Sequence, residues 1–68
     1  MIRKHVSSSA IYSVGYDPFS CILEIQFKGT MEVYRYRNVP QSVFNGLMWA
    51  GSKGAYYNRY IKDRYPYD

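Results

Sequence analysis

At 68 residues the chain has room for one domain, since domains commonly run to about 100–150 residues and a core below about 70–80 supplies only a few kcal/mol. Hydrophobic residues at 47% against 21% charged, with 5 Gly and 3 Pro, exclude a disordered or collagenous chain, and no apolar run reaches the roughly 18 residues of a membrane span. Lys plus Arg exceed Asp plus Glu by 9 to 5, a net charge of +4 that favours anionic partners without naming one.

The opening Met1-Ile2-Arg3-Lys4-His5-Val6 is basic with no apolar stretch behind it, so a secretory signal is not expected and the cytosol is the expected compartment. Cys21 is the sole cysteine and His5 the sole histidine, which excludes an intramolecular disulfide and the usual zinc sets. Neither a metal nor a cofactor is expected. Nine Tyr, three Phe and one Trp make 19% of the chain aromatic, a large apolar payload with polar tips from which a small core can be built.

Ser7 to Tyr16 carries Ile11, Tyr12, Val14 and Tyr16 and ends at Gly15-Tyr16-Asp17-Pro18, which predicts a strand and then a turn. Asp17 before Pro18 reads as a turn residue whose carboxylate bonds nearby backbone N–H groups. From Cys21 to Phe27 alternation is strict, with Cys21, Leu23, Ile25 and Phe27 on one face and Ile22, Glu24 and Gln26 on the other. Cys21 is thus expected to be a buried strand residue. Lys28-Gly29-Thr30-Met31 fits a two-residue type II′ hairpin with Gly29-Thr30 as the loop, leading into a third strand from Met31 to Arg37.

Antiparallel counting from that loop sets Ile25 opposite Tyr34, Glu24 opposite Arg35, Leu23 opposite Tyr36 and Ile22 opposite Arg37. Tyr34 and Tyr36 then share the apolar face, which favours core over a base-stacking platform, although both readings fit the motif. Arg35 and Arg37 fall on the opposite face, where one ion pair with Glu24 leaves Arg37 spare.

Pro40 suits a first helical position, and Val43, Phe44, Leu47 and Ala50 follow at helical spacing, predicting a helix from Pro40 to about Ala50. Trp49 points away from that stripe, as a partner contact or under cover of the second helix or N-terminal segment. Gly51-Ser52-Lys53-Gly54 breaks the pattern, and Ser52 is a good N-cap for a second helix from Lys53 to about Asp63. Its stripe of Tyr57, Tyr60, Ile61 and Arg64, with Tyr56 beside it, reads as core, while Arg59 and Lys62 lie on the other side. The tail Arg64-Tyr65-Pro66-Tyr67-Asp68 cannot extend the helix through Pro66 and either folds back on the sheet or stays mobile.

Taken together, Ser8-Ser9, Gly15-Tyr16-Asp17, Leu23 to Phe27, Tyr34-Arg35-Tyr36, Val39-Pro40, Ser52-Lys53-Gly54, Tyr57-Asn58 and Ile61 make a chain that resembles the KTSC domain family over about residues 6 to 67. That family is named for its occurrence at the C-terminus of some lysyl-tRNA synthetases and has stand-alone bacterial and phage members. The resemblance implies a free-standing domain, and the synthetase neighbour points by analogy to RNA binding. Met48-Trp49 departs from the small or polar residues that relatives often carry before the helix-ending alanine.

Three functional readings follow. A non-enzymatic module for RNA or other nucleic acid would use Arg35, Arg37, Lys53, Arg59 and Lys62 on backbone phosphates, with Trp49 or Tyr56 to stack on. A protein-interaction module or phage-type effector would dock through Met48 and Trp49. A small nucleotide or other anion would be captured at Ser52-Lys53-Gly54, where a helix start offers free N–H groups and positive dipole; the same residues also make an ordinary helix–helix turn. Catalysis is not expected, because His5 is far in sequence from Cys21 and the carboxylates are scattered. The expected architecture is α+β, a three-stranded antiparallel meander of residues 7–37 covered on one face by two helices. Its expected core is Ile11, Leu23, Ile25, Phe27, Tyr34, Tyr36, Val43, Phe44, Leu47, Tyr57 and Ile61.

Overall fold

The computed structural model describes residues 1–68 as an antiparallel sheet with two helices on one face. Its strands are β1 (Lys4–His5), β2 (Ile11–Asp17), β3 (Ile22–Phe27) and β4 (Val33–Tyr36), paired in chain order, followed by α1 (Gln41–Trp49) and α2 (Lys53–Tyr60). No helix is long and apolar enough to cross a membrane. The α+β class is as expected, but the sheet has four strands rather than three. β1 is a two-residue edge strand, with Lys4 opposite Val14 and His5 opposite Ser13. It is held by a polar network on the sheet face away from the helices: Arg3 Nη1 donates to Glu24 Oε1 at 2.9 Å and Arg3 Nε to Ser13 Oγ at 3.3 Å. A short, basic edge of this kind also discourages pairing with a second sheet.

The β3/β4 register is the one counting predicts, Leu23 to Tyr36, Glu24 to Arg35 and Ile25 to Tyr34, continuing to Gln26 and Val33. The turn is longer than expected. Phe27 N–H donates to Glu32 C=O at 3.0 Å, and positive φ occurs at Gly29 (90°) and Met31 (59°), so Lys28 and Met31 belong to a four-residue loop. Cys21 also departs from expectation: with φ 59° it sits in the β2–β3 turn, half-buried, and the strand starts one residue later. Asp17 does close that turn, its Oδ1 accepting from Phe19 N–H at 2.9 Å; this bond, then that of Ser20, holds its carboxyl below the usual range.

In β2 the pairing shifts between Ile11 and Ser13, leaving Tyr12 as the extra residue of a bulge. The bulge changes the phase of the strand, so Ile11 and Val14 both face the helices. The sealed core is Ile11, Val14, Leu23, Ile25, Tyr36, Val39, Leu47 and Ile61, and Phe27, Tyr34, Val43, Phe44 and Tyr57 pack around it half-buried. Val14 and Val39 join the expected set. Tyr16 stacks on Phe44, with centroids 4.8 Å apart, and its hydroxyl donates to Val39 C=O at 2.6 Å.

Pro40 takes the N-cap position in an extended conformation, one place earlier than expected, and α1 ends at Trp49. Ser52 caps α2 as expected, accepting from Ala55 N–H at 3.3 Å, but the helix stops at Tyr60. The tail folds back: Arg37 N–H donates to Pro66 C=O at 2.8 Å, Asp68 N–H to Arg35 C=O at 3.0 Å, and Tyr67 bridges to Tyr36. This covers the outer edge of β4.

Candidate phosphate-binding site

Three segments meet at Ala10. Lys28 N–H donates to Ala10 C=O at 3.0 Å, bringing the end of β3 to the segment that precedes β2. The start of α2 arrives from the other side, so close that a Cβ at Gly54 would lie 3.2 Å from that of Ala10. Between them lies a cleft of about 390 Å³ lined by Ser7, Ser8 and Ser9, by Lys28, and by Gly51, Ser52 and Lys53. Its lining is polar throughout, with two cations and no carboxylate.

The chemistry of these groups suits an anion. Ser8 Oγ accepts from the N–H groups of Ala10 and Ile11 at 3.2 and 3.1 Å, and Ser52 Oγ is engaged by the α2 cap. A hydroxyl that accepts in this way keeps its own O–H to donate. Lys53 Nζ donates to Met48 C=O at 3.1 Å and Ala50 C=O at 3.2 Å, placing its charge at the C-terminal end of α1, where the helix dipole favours a cation. An ammonium has three protons, so one is left for a ligand. Lys28 extends into solvent at the rim.

The structure separates the other expected basic residues from this cleft. Arg35 Nε pairs with Glu24 Oε2 at 3.2 Å on the sheet face away from the helices, and Glu24 is also held by Arg3. Arg37 is not spare, because its Nε lies 3.8 Å from Asp68 Oδ1. Arg59 sits in the last turn of α2 over the Tyr60 ring, about 9 Å along the axis from Lys53 at 1.5 Å per residue. Lys62 lies beyond it in the following turn, exposed. No single surface gathers all five. Gly54 supports the site by allowing α2 to pack on Ala10, not by lining the cleft. Met48 packs half-buried against the core, so the expected Met48-Trp49 surface reduces to Trp49, which is 88% exposed.

Of the residues that line the cleft, Ser52 and Lys53 are among those expected from the sequence to meet an anion, whereas Ser7, Ser8, Ser9, Lys28 and Gly51 are brought in by the fold. The run of three serines before Ile11 was available as a loop signal. Nothing local marks Lys28 as its neighbour.

A crystal structure of a KTSC domain protein from Yersinia pestis superposes with a TM-score of 0.94 at 40% identity, covering 98% of this chain and 93% of that one. An uncharacterized protein of Stutzerimonas stutzeri is 38% identical, with 96% of this chain and 90% of its own length aligned. A protein of Tsukamurella paurometabola is 43% identical, over 88% of each. The KTSC domain profile matches residues 7–65. With nearly the whole chain matched by profile, sequence and structure, this protein belongs to the KTSC domain family.

Proposed function

We propose that this domain is a non-catalytic module that binds nucleic acid through backbone phosphates, with RNA as the favoured polymer and one phosphate seated in the cleft. The observation that carries this reading is the cleft itself: four serines and two lysines from three separate segments, with no carboxylate among them. The net charge of +4 adds a long-range attraction for polyanions. The occurrence of the family beside lysyl-tRNA synthetases supports RNA. Contact through phosphate predicts low sequence specificity. His5 packs edge-on to Tyr12 and Cys21 Sγ faces Pro18 C=O, so imidazole and thiol have separate surroundings and supply no nucleophile–base pair.

The test is fluorescence anisotropy of labelled single-stranded RNA, duplex RNA and DNA across a salt series. Lys28→Ala is the cleanest variant, because the Lys28 side chain is exposed and holds no part of the fold. Its loss is expected to weaken binding about tenfold, the cost of one charge-assisted contact, and to reduce the log–log salt slope by about 0.7 on a single strand. Lys53→Ala removes affinity too, but also frees the carbonyls of Met48 and Ala50, so its melting curve is read alongside. Absence of binding at low salt, or affinity indifferent to Lys28→Ala, overturns the proposal.

A further inference from the structure

Two aromatic residues stand almost wholly in solvent, Phe19 in the β2–β3 turn and Trp49 at the end of α1, and only Trp49 adjoins the segment that lines the cleft. The tyrosines and phenylalanines of the sheet and of α2 are mostly engaged in ring–ring contacts, whereas Trp49 stands at the end of α1 with 88% of its surface in solvent. Its backbone is nonetheless held on both sides. Met48 packs against the core, and Lys53 Nζ bonds the carbonyls of Met48 and Ala50, the two residues that flank it. Gly51 and Ser52, the next residues but one and two, already line the cleft. An exposed indole on a fixed stem therefore stands two residues along the chain from Gly51, the first α1–α2 residue to line a polar, positively charged recess.

The surroundings distinguish between occupants. An aromatic anchor for a protein partner sits within a ring of apolar contacts that exclude water, but the exposed residues one and two turns back on α1 are Asn45 and Ser42, and the other side leads to Ser52 and Lys53. A nucleobase beside its own phosphate needs the combination present here, a π face next to cationic and hydroxyl donors. We infer that Trp49 stacks on one base of a nucleic-acid strand whose phosphate lies in the cleft, so that the ligand class is single-stranded rather than duplex nucleic acid. In a duplex the bases are already stacked and their faces are closed to the indole. The inference rests on the phosphate reading above and adds to it the strandedness of the ligand.

Trp49 is the sole tryptophan of the chain, so its emission reports on this position alone. The experiment titrates the protein with a uridine oligoribonucleotide, an abasic strand of equal length and a duplex RNA, recording tryptophan emission and anisotropy of the labelled nucleic acid together. The uridine strand is expected to quench Trp49 with the same saturation as the anisotropy, and the abasic strand and duplex are not. Trp49→Ala should weaken the uridine strand roughly tenfold, within the range for one stacked base, leave the other two unchanged, and be partly rescued by Trp49→Phe. If the uridine strand binds in a Lys28-dependent way while emission is unchanged and Trp49→Ala binds equally well, stacking is overturned and the cleft reading stands. If no nucleic acid binds at low salt, both fail. Emission unmoved by nucleic acid but shifted on self-association at raised protein concentration overturns the inference in favour of Trp49 as a protein contact.

Discussion

Tyr36→Ala is expected to leave the domain largely unfolded at 25 °C, while Tyr36→Phe leaves it folded and less stable by about 1 kcal/mol. Tyr36 is 1% exposed and is the largest sealed side chain of the core. It pairs with Leu23 across the sheet, its ring lies within 6.4 Å, centroid to centroid, of Tyr34, Tyr57 and Tyr67, and its hydroxyl shares a hydrogen bond with that of Tyr57. Truncating a buried aromatic costs about 3–5 kcal/mol, and a domain this small has only about that much to lose. Phenylalanine keeps the packing and gives up only the hydroxyl contact. Urea unfolding followed by circular dichroism separates the two; a Tyr36→Ala protein with a normal transition would show that the core does not depend on this ring.

The same pair makes stability depend on alkaline pH. Burial, and then the hydrogen bond that the Tyr36 hydroxyl gives to Tyr57, push the Tyr36 phenol far above its ordinary value; burial also raises Tyr57, Tyr56 and Tyr16. An unfolded tyrosine titrates near 10, so above about pH 10 the unfolded chain releases protons that the folded one keeps, and stability falls as pH rises. The contribution is complete below about 10 and is lost progressively as pH climbs towards the raised folded values. Urea curves at pH values between about 9 and 11 should show this fall, and Tyr36→Phe should make it shallower without removing it, since Tyr57, Tyr56 and Tyr16 remain. An identical slope in wild type and variant would count against Tyr36 as a source.

The parts of this molecule that can be read from sequence are those in which local chemistry decides. The β3/β4 register follows from Gly29 even though the loop is four residues and not two, because releasing Lys28 and Met31 together lengthens the turn without shifting the ladder. The cap at Ser52 and the outward direction of Trp49 follow from helical phase. By contrast, β1 consists of a lysine and a histidine and exists because Arg3 reaches across the sheet to Glu24, a long-range cause with no local pattern. The bulge at Tyr12 reverses the alternation of β2, so counting from Ile11 assigns Val14 to the wrong face. The cleft is hidden for the same reason, since Ser7–Ser9, Lys28 and Ser52 become neighbours only when the Ala10 carbonyl and the Gly54 backbone close on one point.

Gly46→Ala tests the junction that carries both the cleft and Trp49. In the middle of an exposed helix this change would be worth about 1 kcal/mol in favour of folding. Here the position is occupied: a Cβ would lie 2.7 Å from Tyr56 Cζ and 2.9 Å from its Cε2. Tyr56 cannot yield without consequence, because its hydroxyl donates to Val43 C=O at 3.0 Å and its ring packs against the core. Overpacking of this kind costs about 1–3 kcal/mol and loss of the hydroxyl contact about 1 more, so the net expectation is destabilisation by about 2 kcal/mol. Tyr56→Ala alone is destabilising as well, yet in the double variant the alanine at 46 has nothing to strike, and the two effects should be markedly less than additive. Strict additivity, or a Gly46→Ala protein more stable than wild type, would show that the ring moves aside freely. Because α1 and α2 carry Trp49 and Ser52-Lys53 on either side of the turn, a Gly46→Ala protein that remains folded is expected to bind RNA more weakly than wild type, with Lys28 and its salt dependence still intact.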